Sequence, residues 1–321
     1  MSVSMPVFTA LGLLSLTAGS ALPASPDAVT AAAADDVVLT EIHVIALEPR
    51  YAAPTTRDRI GRVWVPVHID GRGPFRLVLD TGAQRSAILP EVALLLGLPL
   101  DRSPPVRLHG VTGTAIAPTV EIGYLTVGDL IFPSGRLTVV ANAFGGAEGL
   151  LGVDGLQDRR IRIDFRADQV DITRSNNRRA APDFIAIPFL PDTRQLLAVR
   201  AEVGGVVVRA IIDTGAQTTM GNEALRTALR RQLARGGLGV DEIQGATGDI
   251  QTGRGARVSP IQLGTLQVRD AHVTFGDLHI FDMWELSDTP ALIVGMDILG
   301  LVDTLVIDYG RKELHIKPRR S

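Results

Sequence analysis

The 321-residue chain contains no cysteine. That excludes thiol catalysis, disulfide staples and thiolate-held metal, and by itself says nothing about redox compartment. Lysine is nearly missing as well. Of 32 basic residues only Lys312 and Lys317 are lysine, as a coding bias towards arginine and alanine would produce. The net charge is −3, so no bulk basic surface invites nucleic acid. Beyond the N-terminus no stretch is long and apolar enough to span a bilayer. The motifs HExxH and GxSxG do not occur, and the six histidines are scattered without ligand spacing. No metal and no cofactor is expected.

What is present is a repeated tetrapeptide, Asp80-Thr81-Gly82-Ala83 and Asp213-Thr214-Gly215-Ala216, each followed by Gln. At average residue usage one copy has a probability on the order of 10⁻⁵ at a given position, so two are not accidental. The residues before them, Phe75 to Leu79 and Val206 to Ile212, favour a buried strand. A carboxylate at the end of such a strand is costly unless paired or used. Two of them suggest joint use.

The repetition extends beyond the tetrapeptide. Val65 to Ile69 matches Val199 to Val203 in alternation, and each run enters a glycine turn (Asp70-Gly71, Gly204-Gly205), predicting a β-hairpin whose second strand delivers the aspartate. Downstream, Leu108 to Gly113 echoes Ile243 to Gly248, and Ile122 to Asp129 echoes Leu263 to Asp270. Leu150 to Asp154 and Ile163 to Phe165 echo Ile293 to Asp297 and Ile307 to Tyr309. The order is kept throughout, so the chain reads as a tandem duplication of a mainly β unit, and its 45% hydrophobic content suffices for two cores. The halves are expected at 57–172 and 184–321, joined by a charged linker at 173–183. Pro90 to Gly97 predicts a short buried helix, and Asn222 to Arg231 its counterpart with an Asn N-cap.

Residues 1–26 carry no charge, with an apolar stretch from Val7 to Leu16 followed by Thr17-Ala18-Gly19-Ser20-Ala21. This has the form of a secretory signal cut after Ser20 or Ala21, although the usual basic n-region is missing. The expectation is therefore export, to the periplasm or medium, with residues 1–20 as signal and 21–56 as a flexible leader. Within that leader Val37 to Leu47 alternates well enough for an extra strand.

Four aspartate positions are duplicated. Asp154 and Asp297 read as helix N-caps, Asp164 and Asp308 as solvated or ion-paired residues of amphipathic strands, and Asp129 and Asp270 as turn residues. Only Asp80 and Asp213 combine a buried approach strand with a Thr and a Gly in a tight turn. Met283 and Trp284 read as packing residues, with a pocket wall as the alternative.

On these motifs the chain resembles the retropepsin-like aspartic proteases, and more closely the bacterial exported members that carry both lobes in one chain. The resemblance covers nearly everything after residue 57. It rests on Asp-Thr-Gly-Ala in each half, a glycine-rich segment after each, and the later Leu150-Leu151-Gly152 and Ile293-Val294-Gly295. It implies an all-β fold with short helices, two tandem lobes about a pseudo-twofold axis and a cleft between them. It also implies that Asp80 and Asp213 meet as a catalytic pair, with Gly82 and Gly215 close to the opposite carboxylate and Thr81 and Thr214 bonded across the lobes. His109, Gly110, Val111, Thr112 and Gly113 would form one flap, and Gln244, Gly245, Ala246, Thr247 and Gly248 the other. Neither has the flap tyrosine of pepsin-type enzymes. The implied activity is an aspartic endopeptidase acting on extended protein or peptide segments as a monomer, with no membrane span once the signal is removed. A peptide-binding module on the same scaffold, with little or no hydrolysis, is the alternative.

Overall fold

A computed structural model describes residues 51–54, 56, 57, 61–141, 145–191 and 196–319. The signal segment and the strand expected at 37–47 lie outside them. Among the described residues no helix is long and apolar enough to cross a membrane.

Each half is built on the expected hairpin. In Val63–Ile69 every second residue is buried, the period of a strand with one face in the core. Its partner Arg72–Leu79 starts exposed and ends with Leu77, Val78 and Leu79 buried. Those three residues pair in parallel with Gly149–Leu151, so both edges of the approach strand are occupied. The second half repeats this: Ala198–Val203 pairs with Val206–Ile212, which runs parallel to Ala291–Val294. The first half forms a seven-stranded sheet in which Val63–Ile69 also pairs with Thr119–Val127, curling the sheet upon itself. The second forms a nine-stranded sheet. The structure is mostly β with few short helices.

The helix Pro90–Leu96 forms where expected, capped by Gly97, but only Val92 and Ala93 are buried. Leu94 and Leu95 are 81% and 61% exposed, so the helix lies on the surface rather than in the core. In the second half the Asn222 side chain accepts the Leu225 N–H at 2.9 Å, as an N-cap does, and heads the helix Glu223–Ala228. Trp284 is buried edge-on against Phe281, whereas Met283 is 40% exposed and is not a packing residue.

A third sheet of six strands joins the halves, in the order Tyr51–Pro54, Gln169–Arg174, Arg159–Asp164, Thr304–Asp308, Glu313–Lys317, Ile185–Pro188. Its central pairing sets Ile161 against Ile307 and Ile163 against Leu305. Strand residues Thr173 and Arg174 extend into the stretch read as linker, and Ser175 beyond them donates to Asp308 at 2.6 Å. Asp308 is fully buried, not solvated. Arg160 reaches it at 2.7 Å across the central pairing, and the Arg311 N–H donates to it at 3.0 Å. Asp164 is the half-exposed counterpart, held below its ordinary value against the opposing effect of desolvation by backbone N–H groups of Ala167 and Arg166 and by Arg162.

Removing one member of a buried ion pair leaves the other charge and its donors without a partner, at about 3–5 kcal/mol. Arg160 keeps some contact with water. Asp308→Ala is therefore expected to lower the unfolding free energy by about 3 kcal/mol, read as a lower urea midpoint at unchanged slope. A shift worth under about 1 kcal/mol would show that the pair does not hold the halves together.

Candidate active site

The strands Arg72–Leu79 and Val206–Ile212 end at the centre of the molecule, where the chain turns sharply at each Asp-Thr-Gly. The turn is closed from inside: Asp80 Oδ1 accepts the N–H groups of Gly82 and Ala83 at 2.9 and 3.0 Å. Asp213 Oδ1 accepts those of Gly215 and Ala216 at the same distances. On the strand side, Asp80 N donates to Leu151 O at 2.9 Å and Asp213 N to Val294 O at 3.1 Å. The two repeats thus supply each aspartate with equivalent scaffolding.

The turns lock into each other. The Thr81 hydroxyl donates to Ile212 O at 2.8 Å and accepts the Thr214 N–H at 3.1 Å. The Thr214 hydroxyl donates to Leu79 O at 2.6 Å and accepts the Thr81 N–H at 3.1 Å. Both threonines are buried, 4% and 0% exposed. A hydroxyl has one proton and spare lone pairs, so each side chain satisfies one donor and one acceptor of the other half. The glycines permit the approach: a Cβ on Gly82 would lie 2.5 Å from Asp213 Oδ2, and one on Gly215 would overlap the Asp80 carboxyl.

The carboxyls of Asp80 and Asp213 come within hydrogen-bonding reach of each other. Burial is the first cause that raises Asp80 well above the ordinary carboxyl value of 3.8, and the neighbouring charge of Asp213 is the second. Asp213 is also raised by burial, against the opposing effect of the N–H groups of Gly215 and Ala216. Two like charges so close cannot both form readily, so the pair holds one proton to higher pH than a lone carboxyl would.

Sequence reading missed the supports behind each turn. Ser86 donates to Asp154 Oδ1 through N–H (3.0 Å) and hydroxyl (2.8 Å), and its hydroxyl accepts the Gly152 N–H at 3.1 Å. Thr219 does the same, donating to Asp297 at 3.0 and 2.7 Å and accepting from Gly295 at 3.2 Å. Asp154 and Asp297 are therefore not N-caps: Gly295 caps the short helix Met296–Leu299, and no helix follows Asp154. The carboxylates tie the chain leaving the turn to the strand beside it. A hydroxyl six residues after each aspartate was the available signal.

Both glycine-rich segments are hairpins. Val106–His109 pairs with Thr114–Ala117 around Gly110–Gly113, and Gly239–Gln244 pairs with Ile250–Val258 around residues 245–249. Their tips touch: the Thr112 hydroxyl lies 3.4 Å from that of Thr247 and donates to Asp249 O at 3.1 Å. Gly110 and Gly245 pack against Thr247 and Thr112. His109 stands away from the tip contacts and meets His279, ring nitrogens 3.2 Å apart. Partial burial first, then the charges of His279 and Arg107, lowers its pKa. Below the second hairpin lies a cleft of about 570 Å³ lined by Asp213, the Gly215–Thr218 turn, Met220, Glu242–Ala246 and Ile250. Val111 of the first hairpin and Arg62, Val78 and Gly145 of the first half complete it.

A family model described as aspartyl protease matches residues 65–154 and again 199–298. The chain belongs to the aspartyl protease family. Both matched stretches contain one Asp-Thr-Gly turn and end at or just beyond the aspartate supporting it. No curated protein matches the sequence significantly. Among solved structures, the aspartic proteinase from Irpex lacteus is similar in fold, with a TM-score of 0.53 at 13% identity over 84% of this chain and 97% of that one.

The raised carboxyls have a stability consequence. A carboxyl that binds its proton more tightly folded than unfolded contributes stability below the unfolded value of 3.8, and that contribution is lost as pH rises through the folded value. Asp80→Asn removes the titration and keeps the shape. The variant is expected to melt higher than the parent at pH 7, with the gain shrinking as the pH falls towards 3.8. A variant less stable than the parent at pH 7 would mean that burial does not strain the pair.

Proposed function

We propose that this protein is an exported aspartic endopeptidase, cleaving extended segments of other proteins with water activated between Asp80 and Asp213. The observation that carries the reading is the facing of two carboxyls, Asp213 buried and Asp80 half-buried, each held by N–H groups of its own turn, in equivalent turns from both halves. Sharing one proton, the pair offers a base and an acid at once. The ionised carboxylate takes a proton from water as its oxygen bonds to the scissile carbonyl carbon. The protonated partner gives its proton to the carbonyl oxygen, so that a neutral tetrahedral diol forms. The first carboxyl passes its proton to the amide nitrogen and a diol hydroxyl gives its proton to the now-ionised partner as the C–N bond breaks, leaving an acid and an amine and restoring the shared proton. A substrate in extended form would lie under the two hairpins and pair with their main chain.

Both aspartates come from one chain, so the active form in this reading is a monomer. Apolar side chains such as Met220, Ile243 and Val111 favour apolar residues beside the scissile bond. The signal-like segment at 1–20 supports export.

Asp80→Asn and Asp213→Asn are each expected to cut kcat/KM on a denatured protein by more than a hundredfold, a loss beyond about 3 kcal/mol of transition-state stabilisation. The double variant should be no worse, since neither carboxyl works alone. Hydrolysis unaffected by either change would sink the assignment of Asp80 and Asp213, and a parent protein that binds peptides without cutting them would favour the binding reading. In the same assay, activity per molecule should stay constant on dilution. A fall on dilution together with a dimer mass in sedimentation would instead require pairing between chains.

A further inference from the structure

The cleft beside Asp213 is charged at a position where the other repeat is apolar. Arg62 immediately precedes the strand Val63–Ile69, is 6% exposed, and lines the same cavity as Asp213, Gln217 and Thr218. Val65 pairs with Leu77 in the first hairpin and Val199 with Ala210 in the second, three residues before each aspartate. By that register Leu196 is the repeat equivalent of Arg62. Leu196 is equally buried, in an apolar cluster with Phe281 and Trp284. One half therefore carries a guanidinium where the other carries an isobutyl group.

Enclosing a guanidinium is costly unless its donors are used, and its planar fork of five N–H groups can serve more than one partner. Among the described residues, two other ionisable groups line the cavity. Asp213 shares a proton with Asp80, and Glu242, on a hairpin strand, is exposed to water that screens it. Arg62 has no such screening.

We propose that Arg62 is a specificity-determining residue that receives an acidic side chain of the substrate in the cavity beside Asp213. Because Leu196 offers nothing comparable, the acidic side chain also fixes which way round the substrate lies across the pseudo-twofold cleft. The inference rests on the proteolytic reading of that site and adds to it a substrate class.

The test uses matched peptides that place Glu, Gln or Leu at each position flanking one scissile bond. The full-length protein is expected to prefer Glu over Gln by about ten- to a hundredfold in kcat/KM, the range of a charge-assisted hydrogen bond, at one position on one side of the bond only. Arg62→Leu, which copies the second repeat, should lose that preference, and Arg62→Lys should retain part of it. If Arg62→Leu does not fold, Arg62→Lys carries the test. A binding arm separates this inference from the activity. If no peptide is cut, yet Asp80→Asn protein binds the Glu peptide more tightly than the Gln peptide and Arg62→Lys weakens that difference, proteolysis fails and the role of Arg62 stands. Equal kcat/KM and Kd for Glu and Gln at every position, or a Glu preference unchanged in the Arg62 variants, overturns it.

Discussion

Everything at the centre of this molecule depends on the mutual grip of Thr81 and Thr214. Four buried hydrogen bonds connect the two turns, and each hydroxyl closes a donor and an acceptor of the opposite half. A made bond contributes only about 0.5–1.5 kcal/mol, whereas an unmade one at a buried group costs about 1–3 kcal/mol. The grip therefore works by penalty: any displacement of one half relative to the other leaves two hydroxyls, two N–H groups and two carbonyls without partners in an apolar surround. This is what fixes two carboxyls from opposite repeats in contact, although each belongs to a loop. Serine in place of either threonine could make the same bonds. Valine could make none.

The same burial that fixes the carboxyls sets their chemistry. Water would separate and solvate two charges at that spacing, and the pair would titrate as two ordinary acids. With Thr81, Asp213 and Thr214 buried and Gly82 and Gly215 admitting the opposite carboxyl, desolvation outweighs the N–H groups that favour the charged form. The protein holds a destabilising pair at its most constrained point and offsets it elsewhere. The six-stranded sheet across the halves, with Asp308 bonded to Arg160, Ser175 and Arg311, is one such place.

The duplicated blocks made the hairpins, the strand entering each aspartate and the two-lobed β architecture legible, because each rests on a period or a turn signal local to a few residues. The site geometry was legible for the same reason: Asp, Thr and Gly have separable physical roles in a turn. The joining sheet was not. Arg159–Asp164 and Thr304–Asp308 both alternate, but alternation names a face and not a partner, and the two lie over a hundred residues apart. Asp154 and Asp297 were misread because an Asp before an apolar run is the sign of a cap. The hydroxyls of Ser86 and Thr219 that claim them lie dozens of residues away in sequence. Arg62 was invisible as a cleft residue, since nothing about one arginine at the start of a strand says what it faces.

The repeats have diverged most where they cover the cleft. The second hairpin is continuous with its nine-stranded sheet, its strand Ile250–Val258 pairing with Ala271–Phe275 from Arg254 to Val258. The first is a sheet of two strands by itself. An isolated pair of strands is marginal in water, so its position must come from contacts with the rest of the protein. Those are supplied by the other half: the Ile280 N–H donates to Val111 O at 3.4 Å, His279 meets His109 and Thr114, and Thr112 holds the opposite tip. Lifting the second hairpin as a whole would break a ladder of backbone bonds, whereas lifting the first would break a few side-chain contacts and one long backbone bond. A cleft formed by two repeats of one unit thus has a stiff cover on one side and a lighter one on the other. Arg62 also lines the cleft, whereas its repeat equivalent Leu196 is packed in an apolar cluster. Duplication supplied the symmetric dyad, and divergence of the surrounding segments gave the cleft a direction.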